Sequence, residues 1–529
     1  MLKQRKTIGE MRAAFEWKVP ARFNIGVDIC DHVAARAPNE PAIIDGEVTT
    51  SFAELRALSN QLANVLSDSA KPGNRVAVLL PQSLETAIAH IAVLKMGAIS
   101  IPLFTLFGPE ALLHRLRDSG ARVLITNAQC AAVVAEIRDQ LPDLQTLLSV
   151  DGADQNAACL QNAMAGASDQ FDPFDTAADD PALLIYTSGT TGNPKGALHA
   201  HRVLLGHLPG VEMSHDFFPQ AGDCIWTPAD WAWIGGLLDV LMPALHHGVP
   251  VVAHRFPKFD GRAAFELMAR HKVRNTFLPP TALKIMRQVA DPPKVDLRSV
   301  ASGGETLGAE LIAWGREVLG ATINEFYGQT ECNMIVSSCQ AIAPAVPGVM
   351  GFAVPGHEVR VLAEGDEEGP IAVRAPDPVM FLGYWNNPEA TAKKFVTIDN
   401  EKWLLTGDTG VMTDSGRIRF VGRDDDIISS GGYRIGPAEI EDCLLSHRAV
   451  QMAGVVGKLD DLRGTIVVAF VQLTPGYQPS GELAKEVASH VKARLAAYEY
   501  PREVHFLEAM PQTATGKIIR GKLREMLNG

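Results

Sequence analysis

Basic residues are outnumbered in this 529-residue chain: 48 Lys and Arg stand against 61 Asp and Glu, for a formal net charge of −13. A chain that wraps nucleic acid needs a cationic surplus or stripe, so a general nucleic-acid binder is excluded. The seven cysteines (Cys30, Cys130, Cys159, Cys224, Cys332, Cys339, Cys443) are odd in number, scattered, and form no C-x-x-C. Neither a disulfide framework nor a zinc ribbon is suggested, and a reducing cytoplasm is the expected compartment. Uninterrupted apolar runs are missing too. The longest candidate, Thr86 to Phe107, contains Lys95 and glycine and proline breaks, so no membrane span is expected. Near the start, Glu10, Arg12, Glu16 and Lys18 break any apolar segment that a secretory signal would need. Low-complexity tracts and internal repeats are also lacking.

With 47% hydrophobic and 21% charged residues the composition is globular, and the length calls for two or three domains with large cores. Short aliphatic runs alternate with helix-length amphipathic segments, the pattern of βαβ units and a largely parallel sheet. Asp45-Gly46 signals an early hairpin, and Ser51-x-x-Glu54 has the form of a capping box opening a helix. From Arg75 the chain reads strand, helix, strand, helix from Pro109, strand. Asp151 to Asp180 holds seven aspartates and no Lys or Arg, which predicts a surface connection before the apolar strand PALLIY. More α/β units follow to about residue 330, then a β-rich subdomain over about 345–422. Beyond GRDDD at 422–426 comes a separate α+β unit, with a helix opened by Pro437, strands VQMAGVVG and TIVVAFVQL, a helix near 481–497 and a strand REVHFLEAM. The expected fold class is α/β: a large N-terminal α/β domain of several subdomains over 1–422, a hinge at 423–426, and a small mobile α+β domain over 427–529.

The strongest local signal is Tyr186-Thr187-Ser188-Gly189-Thr190-Thr191-Gly192-Asn193-Pro194-Lys195-Gly196. Hydroxyls and backbone donors on a glycine-rich loop after a buried strand suit phosphate oxygens, with Lys195 as a compact charge. A Walker P-loop requires a lysine that opens a helix; Pro194 and Gly196 flank this one, so that reading fails. Composition alone also fits a polar surface loop.

This loop resembles the phosphate-loop signature of the ANL adenylate-forming superfamily of acyl-CoA synthetases, nonribosomal adenylation domains and luciferases. Five further motifs recur in order: SGGE at 302–305, YGQTE at 327–331, TGD at 406–408, GRDDDIISSGGYRIGPAEIE at 422–441 and PQTATGK at 511–517. Singly, Glu331 reads as a strand end, Asp408 as a turn residue and Lys517 as a solvated lysine. Jointly, the resemblance implies an ATP-dependent acid–CoA ligase of the short- or medium-chain type. Such an enzyme makes acyl-AMP, releases pyrophosphate and then forms acyl-CoA, in fatty acid metabolism.

The resemblance implies the following roles. Thr187, Ser188, Gly189, Thr190, Thr191 and Lys195 hold phosphates, and Thr330 bonds the α-phosphate. Gly303, Gly304, Glu305, Tyr327 and Gly328 line the adenine pocket, Asp408 accepts the ribose hydroxyls and Arg423 contacts the ribose. Glu331 ligates Mg²⁺, which takes only one or two carboxylates beside nucleotide phosphates. Lys517 is carried in by the small domain for adenylation, and Asp425 is the hinge about which that domain rotates to form the thioester, with Gly432 lining the CoA tunnel and Arg434 facing the site.

For the acid, glycine at 328 is read as leaving the acyl pocket open, against strict acetate use. Trp226, Trp231 and Trp233 fall in a stretch that resembles medium-chain synthetases and are expected to wall that pocket. The same tryptophans fit a packed core equally. Substrates are thus a small carboxylic acid, ATP and CoA, for a monomer or homodimer. Two other functions compete: delivery of the acyl group to a carrier-protein thiol, disfavoured because no carrier segment follows Gly529, and a nucleotide-binding regulator without chemistry, disfavoured by the complete residue set.

Overall fold

A computed structural model describes residues 2–154, 157–187, 194–305, 307–363, 367–423, 426–430, 433–460, 464–495, 499–513 and 516–528. Local sequence starts the N-terminal elements as expected. Gly46 takes φ +59° between strands Pro41–Asp45 and Val48–Ser51, which pair Asp45 with Val48. Ser51 and Glu54 close the capping box, with Ser51 N donating to Glu54 Oε2 at 2.8 Å, and helix Phe52–Leu66 follows. Its Phe52, Leu55 and Leu62 are fully buried, so packing rather than propensity stabilises it.

Two mixed sheets carry the large unit. In the first, strands Ile323–Gln329, Ser299–Gly303, Asn275–Phe277, Ile225–Trp226, Val251–Ala253 and Pro41–Asp45 run parallel in that order. Antiparallel strands flank them: Cys332–Ser337 on one side and Val48–Ser51 on the other. In the second, Pro181–Thr187, Ile99–Pro102, Arg75–Leu79, Val123–Thr126 and Thr146–Ser149 are parallel, and Lys195–Ala200 folds back antiparallel on Pro181–Thr187. Val76, Val78, Ile125 and Leu183, buried between covering helices, read as continuous apolar runs because both faces are dry. Of the β-rich stretch, strand Glu401–Met412 is the spine of a separate antiparallel sheet, with Ile418–Arg423 on it.

In the acidic stretch from Asp151 to Asp180 the described residues hold more regular structure than expected. Ala158–Cys159 adds a strand to the second sheet, and helix Leu160–Ala165 buries Leu160 and Met164. Asn60 and Asn64 hold the rest, donating to the carbonyls of Asp169, Ser168 and Gln170 at 2.8–2.9 Å.

The C-terminal residues build sheets of their own. Ile428–Ser430 pairs with Tyr433–Ile435; Val450–Asp460 pairs antiparallel with Gly464–Leu473, and Glu503–Leu507 joins in parallel. Helix Pro437–Leu445 begins at the expected proline, whereas Gly481–Lys492 stops short of 497. Val455, Val467, Ile440 and Val487 form a core distinct from that of the large unit. Among the described residues no helix is long and apolar enough to cross a membrane.

Candidate active site

The carboxyl ends of strands Ser299–Gly303, Ile323–Gln329, Ile225–Trp226 and Pro181–Thr187 gather the motif residues. Loops at such ends are free to vary over a rigid sheet and form its natural crevice. Gly303 pairs with Phe326, and a side chain there would lie 2.7 Å from that residue's ring and carbonyl, so the two strands tolerate only glycine. Gly304 then turns the chain with φ +93°, in the region that favours glycine. Next to it the Glu305 side chain accepts from Thr281 Oγ1 at 3.2 Å.

Tyr327, two residues before the end of its strand, donates its hydroxyl to Asp408 Oδ2 at 2.5 Å. Asp408 is buried on the antiparallel sheet, in register with Arg423, whose guanidinium nitrogen lies 3.8 Å from Oδ1. Burial raises the Asp408 carboxyl above its ordinary value, while Arg423, the Tyr327 hydroxyl, Lys394 and Lys517 pull it back. Burial, reinforced by Asp408, lifts the Tyr327 phenol far higher. Tyr327 therefore stays a donor, and the pair holds one fixed acceptor at the pocket edge.

Lys517 reaches this spot from the C-terminal unit. Its loop is tied by Thr513 N donating to Lys517 O at 2.7 Å and Lys517 N donating to Thr513 Oγ1 at 3.1 Å. The side chain passes over Gly304: a β-carbon on that glycine would be 3.7 Å from Lys517 Cε and 3.9 Å from Nζ. The surrounding protein depresses the ammonium below the ordinary lysine value, against the pull of Glu305 and Asp408. Since Lys517 remains open to solvent, water screens much of that depression.

Thr330 and Glu331 occupy the turn between Ile323–Gln329 and Cys332–Ser337. Glu331 is only 7% exposed. Tyr384 donates its hydroxyl to Glu331 Oε1, and no partner among the described residues reaches Oε2. Lys195 opens its strand opposite Thr187, with its ammonium 5.3 Å from the centre of the Tyr384 ring. One tyrosine thus touches both the expected metal ligand and the expected phosphate lysine. Lys394 braces the neighbouring Gln329, donating to its Oε1 at 2.9 Å and to the Thr406 carbonyl at 3.1 Å.

Trp233 is half-buried, its ring 5.6 Å from Phe104 and 6.0 Å from Phe107. Trp226 and Trp231 do not join it. Trp226 is fully enclosed among Phe265, Met268 and Val300, and Trp231 is 1% exposed in the central core. Bulky aromatics fill interior volume wherever it is available, so the expectation that Trp226 and Trp231 wall the acyl pocket is corrected: both are core residues. The expected opening at Gly328 is corrected as well. A side chain there would sit 2.5 Å from Asn333 Oδ1 and Met334 N, so the space glycine vacates is filled by the chain's own hairpin.

The profile of the AMP-binding enzymes matches residues 30–385, and that of the AMP-binding enzyme C-terminal domain matches residues 439–517. The chain belongs to the AMP-binding enzyme family. Human acyl-coenzyme A synthetase ACSM4, mitochondrial, is 34% identical, over 96% of this chain and 91% of its own length. Mouse acyl-coenzyme A synthetase ACSM3, mitochondrial, is 32% identical over 97% and 92%. Among solved structures, the anthranilate CoA ligase AuaEII in complex with anthranoyl-AMP superimposes with a TM-score of 0.88 at 28% identity, covering 96% of this chain and 98% of its own. ATP-bound MatB from Rhodopseudomonas palustris gives 0.84 at 27% identity, over 95% and 98%. The family, the two-part α/β fold and the AMP-forming acid–CoA ligase class read from the six motifs are those of these relatives.

In this AMP-binding enzyme the fold gathers Gly303, Gly304, Glu305, Tyr327, Asp408, Arg423 and Lys517 at one end and Thr187, Lys195, Thr330 and Glu331 at the other. Ser188, Gly189, Thr190, Thr191, Asp425 and Gly432 lie outside the described residues. Arg434 is placed by its backbone on the Tyr433–Ile435 strand, opposite Ser429. Tyr384 and Lys394 were not legible from sequence, because nothing in FLGYWNNPE or ATAKKF marks either as facing the turn at Thr330. Asp239 and Asn333, which pair beside Gly328, were also missed. One signal was available: an acid inside the apolar run LLDVLM is a buried charge that needs a reason.

Proposed function

We infer that this protein is an ATP-dependent acid–CoA ligase that converts a short- to medium-chain carboxylic acid to acyl-AMP, releasing pyrophosphate, and then to acyl-CoA. The observation that carries this reading is that Lys517, from the C-terminal unit, stands beside Gly304 and within the field of Asp408. A lysine delivered by a second unit to a nucleotide crevice suits an anionic nucleophile meeting an anionic phosphate, where charge neutralisation and alignment supply most of the catalysis.

In the first half-reaction the acid's carboxylate oxygen bonds to the α-phosphorus of ATP as the bond to pyrophosphate breaks. Tyr327 and Gly303 to Glu305 receive adenine, and Asp408 and Arg423 the ribose. Thr330 bonds the α-phosphate, Lys195 and the Thr187–Thr191 loop hold the outer phosphates, and Lys517 steadies the charge shared by carboxylate and phosphate. Glu331 fits Mg²⁺, with one oxygen anchored by Tyr384 and the other without a partner among the described residues; the ion would neutralise phosphate charge there. In the second half-reaction rotation about Asp425 withdraws Lys517 and brings Gly432 and Arg434 to the site, where the thiol of CoA displaces AMP. The Trp233, Phe104 and Phe107 cluster supports a compact acid, branched or ring-bearing, over a long fatty chain. Solved relatives named anthranilate CoA ligase and benzoate CoA ligase support that size. All seven cysteines are free thiols, which supports a reducing compartment such as the cytoplasm.

The test is acid-dependent pyrophosphate release, with and without CoA, over linear C2 to C12, branched and aromatic acids. Release with compact acids and acyl-CoA formation are expected. No release with any acid would leave only a nucleotide-binding regulator, and adenylation without CoA turnover would point to a carrier-protein acceptor.

A further inference from the structure

Helix Arg520–Asn528 begins three residues after Lys517 and grips the chain beside the expected hinge. Asp426 is buried, and both of its oxygens accept from that helix: Oδ2 from Arg520 Nη1 at 3.2 Å and Oδ1 from Arg524 Nη2 at 2.5 Å. The two arginines stand four residues apart, on one helix face. The rest of the Arg520 guanidinium forks onto Glu441, with Nε donating to Oε1 at 3.2 Å and Nη2 to Oε2 at 2.7 Å. Glu441, buried on helix Pro437–Leu445, also accepts from Val455 N at 2.8 Å. One planar cation therefore joins the hinge segment to a helix and a strand of the C-terminal unit.

This network runs between two residues expected at the nucleotide. Asp426 N donates to the Arg423 carbonyl at 2.9 Å, and Ile427 N donates to the same oxygen at 3.1 Å. Arg423 ends its strand in register with Asp408. On the other side, Ile519 N donates to the Pro511 carbonyl at 2.9 Å and closes the foot of the Lys517 loop, with Arg520 next in the chain. Leu523, on the same helix, is buried with Val456, Val468 and Phe470, which fixes that foot to the sheet of its own unit. Arg520 extends the fixation to Asp426, the residue that directly follows Asp425. A buried ion pair adds little stability over an apolar replacement, whereas a forked guanidinium sets direction as well as distance.

We propose that Arg520 and Asp426 are positioning residues, whose ion pair makes the hinge end of the C-terminal unit and the Lys517 loop one rigid body, so that rotation at Asp425 delivers Lys517 to the nucleotide without slack. This deepens the acid–CoA ligase reading and rests on it. Gly432 and Arg434, the residues expected to serve the thioester step, follow Asp426 closely in the chain and need no relay. Lys517 lies at the far end of the unit's sequence, and without the pair its place depends on the packing of the C-terminal sheet. A misplacement of about 1 Å costs on the order of 100-fold in rate, so loss of the pair is felt in adenylation and not in thioester formation.

The experiment is a double-mutant cycle on the full chain, with acyl-AMP formation and thioester formation from supplied acyl-AMP both measured by rapid quench on each preparation, using the acid that gives the fastest pyrophosphate release. Arg520→Lys keeps the charge but cannot fork, and Asp426→Asn keeps the shape without the charge. Each should slow acyl-AMP formation about 10- to 100-fold, while thioester formation changes by less than about twofold. In a Lys517→Ala background the same substitutions should add less than about a further twofold, because the group they position is gone. The ratio of the two half-reactions on one preparation does not depend on how much of it is folded, so a destabilised variant still reports. Equal loss in both half-reactions, an unchanged rate of acyl-AMP formation, or a full penalty that persists in the Lys517→Ala background overturns the positioning role and leaves the ligase reading standing. No pyrophosphate release with any acid overturns both.

Discussion

A single phenol shows how one side chain sets two functional groups. Tyr384 donates to Glu331 and places its ring beneath the Lys195 ammonium, so it fixes the carboxyl group expected to meet the metal and the cation expected to meet phosphate. Hydrogen bonds to charged groups contribute about 1.5–3 kcal/mol. Tyr384→Phe keeps the ring and removes only the donor. We expect its kcat/KM for ATP in acid-dependent pyrophosphate release to fall about 10- to 100-fold, with a higher Mg²⁺ concentration needed for half-maximal rate. Parity with the wild type at all Mg²⁺ concentrations would remove Tyr384 from the site.

Strand Ile323–Gln329 combines a buried carboxyl in its middle with candidate site residues at its end. At its middle Glu325 is 3% exposed, and Oε2 lacks a partner among the described residues. Burial raises its carboxyl from 4.5 to about 8. The folded chain therefore holds a proton that the unfolded chain releases above 4.5, so stability from this group is fully present below pH 4.5 and declines as pH rises toward 8. Glu325→Gln removes the titration. Urea midpoints should show the variant gaining on the wild type between pH 5 and pH 8, by up to about 1.4 kcal/mol per pH unit. A gap that stays constant across that range would mean that Glu325 does not titrate there. The end of the same strand was legible by motif. The pH sensitivity of its middle was not, because it depends on the elements that cover the strand.

At the scale of the whole molecule, two separately built cores meet at Lys517. Antiparallel pairing of Val450–Asp460 with Gly464–Leu473 gives the C-terminal unit its own sheet, and Arg520 ties it together through Glu441 at 2.7 Å and Asp426 at 3.2 Å. If that unit serves adenylation from one face and thioester formation from another, Lys517→Ala should lower acyl-adenylate formation by orders of magnitude. The thioester half-reaction from supplied acyl-AMP should remain. Rapid-quench measurement of the two half-reactions separates them, and equal loss of both would refute the division of labour.

Order along the chain determined the family and the α/β class and marked the residues expected to hold nucleotide, because turns, caps and motif spacing are local chemistry. The Gly46 turn, the Ser51 to Glu54 box and the pairing of Thr187 with Lys195 each form from residues a few positions apart. Tertiary structure alone decided where the residues expected around the acid went. Trp226 and Trp231 went to the core while Trp233 stayed half-buried against Phe104 and Phe107, although all three stand within one short stretch. The vacancy read at Gly328 was filled by Asn333 and Met334 from the returning strand. Asp239, on a distant helical segment, was buried against Asn333 of that same strand. Burial is a property of what packs against a residue, and for these residues the packing partners come from elsewhere in the chain.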